Sequence, residues 1–142
     1  MTTIAYCDGV LAGDTRITIG DLISPETATK VIKLPSGALL GMSGTWARCC
    51  ALQRALENDH PLPDLKGVDA ILISPDGRVY AYDRDAWNPI DTPYYALGTG
   101  ADYAYVALWL GHDAVTAVKA GIKFDKNSGG KIKSVKLGTG KK

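Results

Sequence analysis

Met1-Thr2-Thr3-Ile4-Ala5-Tyr6-Cys7-Asp8-Gly9-Val10-Leu11-Ala12-Gly13-Asp14-Thr15-Arg16-Ile17-Thr18 opens the chain and decides how the rest is organised. Asp8-Gly9 lies between two apolar runs, the strongest short-range signal for a β-hairpin. A two-residue turn there folds the second strand back on the first and brings Asp14 close to Thr2. Met1 precedes a small residue, an arrangement that methionine removal usually turns into a free N-terminal Thr2. A threonine whose own α-amino group can act as base is a chemically competent nucleophile.

Composition narrows the setting. The chain has 142 residues, of which 46% are hydrophobic. That is enough for one domain, residues 1–142, with a sizeable core. No apolar run is long enough to span a membrane, and no basic segment followed by an apolar stretch marks a secretory signal. A cytoplasmic protein is the expectation. Cys7, Cys49 and Cys50 lack metal-ligand spacing and read as free thiols. His60 and His112 belong to no ligand cluster, so no side-chain metal site is expected. The net charge of +1 is unevenly spread: eight lysines and one acid follow from Lys119 onward. Those lysines lack interleaved aromatics and arginines, so nucleic acid is not an expected partner, and neither is a membrane.

Outward from the hairpin, residues 13–18 read as a turn-like segment and residues 20–29 as a polar connection. Lys30–Leu34 and Ala38–Ser43 form a second hairpin around Pro35-Ser36-Gly37. Thr45 is the expected N-cap of a helix running to Asn58. Val68–Ser74 and Arg78–Tyr82 form a third hairpin. Residues 88–93 read as a loop and Tyr94–Leu97 as a short buried strand. Helices are expected over Asp102–Leu110 and, capped by Asp113, from Ala114 to about Lys123. Lys131–Leu137 alternates as a last strand. Strands in two blocks with helices between them point to a layered α+β fold built on two antiparallel sheets.

The chemistry of an N-terminal threonine hydrolase needs few parts. The hydroxyl attacks a carbonyl carbon while the α-amine takes its proton. A nearby ammonium eases both ionisations, a carboxylate holds the ammonium, and backbone N–H groups stabilise the oxyanion. Thr2 supplies the hydroxyl. Lys30 starts a strand that follows the Asp14 segment, and a half-buried lysine there needs an acidic partner, for which Asp14 is placed. Gly41, in the neighbouring strand, is the expected N–H donor.

These residues carry a resemblance. Thr2-Thr3-Ile4-Ala5, Gly13-Asp14-Thr15-Arg16-Ile17-Thr18, Thr29-Lys30-Val31-Ile32-Lys33-Leu34, Leu40-Gly41-Met42-Ser43-Gly44, Ala96-Leu97-Gly98-Thr99-Gly100-Ala101-Asp102-Tyr103-Ala104 and Phe124-Asp125-Lys126-Asn127-Ser128-Gly129-Gly130 occur in an order similar to that of proteasome β-type subunits. They most resemble the bacterial heat-shock-locus V peptidase that works with an unfoldase ATPase. The resemblance implies a four-layer αββα sandwich of N-terminal nucleophile hydrolase type and threonine endopeptidase activity. It implies that Thr2 attacks, that Asp14 and Lys30 tune it, and that Thr99, Asp125 and Ser128 form a network around the α-amine. It places Ile17, Thr18, Ala28, Ile32 and Leu39 at the substrate, with an apolar side chain preferred before the cut. It implies no required cofactor, although a structural monovalent or divalent cation can sit at the backbone carbonyls of Ile122, Asp125 and Ser128 in such proteins. Expected partners are further copies of the chain in a ring or double ring, an ATP-dependent unfoldase, and unfolded protein or peptide as substrate.

One departure stands out. Only about nine residues separate the first helix from Val68, where the family has a second long helix and a further strand. An open site of that kind also suits two other readings: an N-terminal amidohydrolase of small amides, and a non-catalytic assembly protein that keeps the fold.

Overall fold

In a computed structural model of the chain, described for residues 2–19, 21–83 and 86–138, the opening stretch forms the expected hairpin. Strand β1 (Ile4–Cys7) pairs antiparallel with β2 (Val10–Gly13). Asp8 and Gly9 both have positive φ, 51° and 79°, the backbone of a type I′ turn whose twist matches the flanking strands. β1 also pairs with β10 (Tyr94–Leu97), and β2 with β11 (Lys133–Lys136), giving a four-stranded sheet in the order β10-β1-β2-β11.

The second sheet runs β5 (Val31–Lys33), β6 (Leu39–Gly44), β7 (Val68–Ile73), β8 (Val79–Asp83) and β9 (Ala86–Ile90), all antiparallel neighbours. Two elements depart from the sequence expectation. Residues 86–90 form an edge strand rather than the start of a loop. Pro89 is tolerated because an edge strand needs hydrogen bonds on one side only. Trp87, opposite Tyr82, meets its ring edge-on at 5.4 Å. Where the turn-like segment meets the polar connection, β3 (Thr18–Ile19) and β4 (Leu22–Ile23) form a two-stranded ribbon.

Period-two alternation sorts each strand between two layers. Ile4, Leu11, Leu97, Leu39, Ile71 and Ile73 fill the space between the sheets. Ala5, Ala12 and Ala96, on the opposite face, pack against α2 (Ala101–Trp109) and α3 (Ala114–Phe124). Small residues there let the helices lie close. Asp113 caps α3 as expected, accepting the Thr116 N–H at 2.8 Å. Leu40, Met42, Val68 and Ala70 pack under Cys49 and Leu52 of α1 (Trp46–Glu57). Thr45 occupies the N-cap position of α1 but makes no side-chain cap bond. The result is a four-layer αββα sandwich, with one helix on one side and two on the other. No helix of the described residues is long and apolar enough to cross a membrane. The three thiols are free.

Gly41 shows how tightly the sheets meet. A Cβ there would touch Ile71 at 3.0 Å and Ile4 at 3.1 Å, one from each sheet. At the end of the slot the apolar layer gives way to polar residues. By the same alternation, Thr2 follows Ile4, Thr99 follows Leu97, Ser43 follows Gly41 and Asp69 follows Ile71. The open end of the inter-sheet slot is therefore where the hydroxyls gather.

Candidate active site

Thr2 is 3% exposed at that slot end. Its Oγ1 accepts a hydrogen bond from Lys30 Nζ at 3.2 Å, and the same ammonium donates to Asp14 Oδ1 at 2.9 Å. Lys30 and Asp14 are both buried, at 2% and 1% exposure. Burial pushes the Lys30 ammonium below the ordinary lysine range, against the opposing pull of the Asp14 carboxylate. Asp14 itself is fully engaged. Oδ1 also accepts the Thr3 N–H at 3.0 Å, and Oδ2 accepts the N–H groups of Gly129 at 3.0 Å and Arg16 at 3.3 Å. A carboxylate so surrounded is a fixed anchor for the ammonium.

A second chain of bonds reaches the main-chain nitrogen of Thr2. That N–H donates to Thr99 Oγ1 at 3.2 Å, and Thr99 donates to Asp125 Oδ2 at 2.5 Å. Ser128 Oγ donates to the same Asp125 oxygen at 2.6 Å and lies 2.7 Å from Thr3 Oγ1. Burial opposes the charge on Asp125, but the hydrogen bonds from Ser128, Thr99 and the Asn127 N–H prevail and hold its carboxyl below the usual range. Six of the residues picked from sequence, Thr2, Asp14, Lys30, Thr99, Asp125 and Ser128, thus form one connected network.

Gly41 does not join it, and its position corrects the expectation. Met42 sends its N–H to the Lys30 carbonyl at 3.0 Å, and Thr45 sends its own to Gly67 at 3.0 Å. Strand alternation then turns the Gly41 N–H toward β7, into the ladder, and the Gly44 N–H to the side where β5 has ended. Gly44, not Gly41, presents an N–H at the mouth of the site.

Beside Thr2 and Lys30 lies a cavity of about 160 Å³. Ile17 and Thr18 line it, as expected, together with Met42, Ser43, Gly44 and Trp46. Ile32 and Leu39 do not. Ile32 packs toward α1, and Leu39 sits fully buried in the inter-sheet core. Ala28 is not among the lining residues; its N–H bonds to the Thr15 carbonyl at 3.2 Å. Trp46 and Met42, which the sequence reading passed over, supply the apolar wall. Both point there because one helical turn and one strand end converge on Lys30.

Two supports were also missed. Thr3 faces the opposite side of β1 from Thr2, against Gly100 and Gly121, and alternation alone was the signal for it. Arg16 Nε donates to Glu26 at 2.6 Å and Nη1 to the Lys126 carbonyl at 3.2 Å, tying the Ser128–Gly129 loop to the Asp14 segment. Asp125's carbonyl accepts the Ser128 N–H at 3.1 Å.

Gly98 fixes Thr2 from behind. Its φ is +96°, and a Cβ there would collide with the Thr2 carbonyl. That carbonyl accepts the Gly100 N–H at 3.0 Å. Gly98→Ala is expected to cost about 1–3 kcal/mol through backbone strain alone, read by urea unfolding, and to lower any reaction at Thr2 by displacing it.

No protein-family model and no curated protein matches the sequence. Solved structures do resemble the fold. The Thiobacillus denitrificans protein BPH, in complex with epoxomicin, superposes with a TM-score of 0.71 at 18% identity, over 96% of this chain and 98% of that one. A second structure of BPH gives 0.66 at 19% identity, over 97% and 98%. HslV from Trypanosoma brucei gives 0.73 at 20% identity, over 96% and 99%. The chain shares the fold of HslV-type proteins from end to end.

Proposed function

We propose that the protein is a proteasome-type threonine peptidase, with Thr2 as nucleophile once Met1 is removed. Met1 lies outside the described residues. The observation that carries the proposal is Lys30 Nζ, buried and bridging Thr2 Oγ1 at 3.2 Å to Asp14 Oδ1 at 2.9 Å. A structural lysine has no need to share its ammonium with the Thr2 hydroxyl. The fold, common to HslV-type structures, adds support by analogy.

The steps follow from the geometry. The freed Thr2 α-amine stays at Thr99 Oγ1, whose own proton is committed to Asp125. Thr99 is thus an acceptor toward the amine and orients its remaining lone pair. Thr2 Oγ attacks the peptide carbonyl carbon, and its proton passes to that amine, directly or through water. The Lys30 ammonium stabilises the hydroxyl oxygen as it gives up the proton. The Gly44 N–H faces the developing oxyanion, an interaction worth several kcal/mol in comparable sites. The C–N bond then breaks, and the leaving nitrogen takes the proton from the α-amine. Water hydrolyses the threonine ester and restores the hydroxyl. The cavity walled by Ile17, Met42 and Trp46 receives an apolar side chain on the acyl side of the bond.

The enzyme acts as a homo-oligomeric ring, with an ATP-dependent unfoldase as partner. The support is exposed apolar surface on α2 and α3, where Tyr103, Val106, Leu110 and Phe124 line one groove and Leu110 is 62% and Phe124 65% exposed, the kind of surface that marks an interaction site. Native mass spectrometry reads the stoichiometry.

The deciding experiment is intact mass before and after epoxomicin, the ligand in one BPH structure. The expected result is a chain lighter by one methionine that gains one inhibitor, mapped to Thr2. A processed chain that gains nothing would overturn the assignment.

A further inference from the structure

A second cavity, of about 380 Å³, adjoins the first at the Ser43–Gly44 strand end. Ser43, Gly44, Asp69, Gly98 and Thr99 line it. Ser43 and Gly44 line both cavities, so the two meet at that strand end; Thr2 lines the first and lies against Gly98, which lines the second. Asp69 stands opposite Ser43 across the β6–β7 ladder. Alternation along β7 puts it on the same face as Ile71 and Ile73, at the point where that apolar row ends. Asp69 is exposed and makes no ion pair among the described residues. No lysine or arginine lines this cavity. Lys30, which lines the first, is held by Asp14.

The direction of the reaction assigns the cavity a role. The leaving nitrogen must receive its proton from the Thr2 α-amine. That nitrogen points at Thr99 Oγ1, and Thr99 lines the second cavity but not the first. The residue that departs with the leaving nitrogen therefore lies over the second cavity, beside Asp69. We propose that Asp69 with the Ser43–Gly44 strand end forms the subsite for the residue just after the cleaved bond, and that it selects a basic side chain there. The inference rests on the peptidase reading above. A partly exposed charge pair supports a preference of about two- to fivefold over a neutral side chain.

The test uses the processed full-length protein and three internally quenched peptides that differ only after the cut, with lysine, alanine or glutamate. Ratios of kcat/KM within one preparation are independent of how much of it is active. The expected order is lysine, alanine, glutamate, with the spread narrowing as salt rises. Asp69→Asn should bring the three together, and Asp69→Lys should place glutamate first. Equal ratios in the parent, or a lysine preference that survives both substitutions, overturns the subsite while leaving the peptidase intact. Absence of cleavage of all three peptides, with no epoxomicin adduct at Thr2, overturns both readings together.

Discussion

Thr2→Ala is expected to abolish peptide cleavage and epoxomicin labelling while the protein stays folded. The substitution keeps a small residue after Met1, and with it the α-amine, so what disappears is one hydroxyl and one methyl group. Without Oγ1 no other group at that position can form the ester, and the rate should fall by roughly 10⁴ or more, as when a nucleophile is deleted from a comparable site. The cost to stability is small. Lys30 loses its hydrogen bond to the Thr2 hydroxyl but retains Asp14 at 2.9 Å. The buried methyl is worth about 1 kcal/mol, which moves the midpoint of a domain this size by about 4 °C. Thr2→Ser, which restores the hydroxyl without the methyl, should label again. If Thr2→Ala cleaved peptides at the parent rate, the nucleophile would have to lie elsewhere, and the network would be a structural one.

What the sequence disclosed of this site follows a physical boundary. Local chemistry was readable. Asp8-Gly9 declared its turn because both positions need positive φ, and Asp14 and Lys30 declared each other because a buried ammonium needs a carboxylate. Ser128 and Asp125 are more than a hundred residues from Thr2, and only an ordered set of family-like segments pointed to them. Register was harder. Gly41 and Gly44 differ by three positions, an odd number, so their N–H groups leave opposite edges of β6. No composition rule says which edge faces Thr2. The resemblance alone placed Leu39 at the substrate, but its side chain points into the inter-sheet core, and Met42 and Trp46 line the cavity instead. β9 was missed because Pro89 reads as a breaker unless the strand is known to be an edge. In sequence, Asp69 is a single charge within an apolar strand. Its meaning depends on where the apolar row of β7 runs out, and that is set by the other sheet.

Lys30→Met should lower kcat/KM by about 10³-fold, within the range for loss of a group that tunes proton transfer, and it should also destabilise the fold. Removing one partner of a buried pair leaves the other charge uncompensated, at about 3–5 kcal/mol. Asp14 keeps three N–H donors, from Thr3, Arg16 and Gly129, so the lower end of that range is expected in urea unfolding. Adding Asp14→Asn to Lys30→Met removes the orphaned charge. Part of the stability should return and none of the activity, which separates the chemical role of the lysine from its structural one. The pH dependence sharpens the separation. The α-amine must be neutral to accept a proton, so activity rises through about pH 8. Lys30 must be charged to assist, and burial sets its pKa below the ordinary 10.5, so activity declines before that value is reached. The contribution of Lys30 to stability moves the other way. Between its native pKa and 10.5 this group binds more protons in the unfolded chain than in the native one, so its own share of the unfolding free energy rises with pH, while the Cys49 thiol, pushed up to about 11 by burial, contributes in the opposite sense. A stability difference between parent and Lys30→Met that moves in the parent's favour as pH rises, while the parent loses activity and the variant shows no such decline, would locate both effects on this one ammonium.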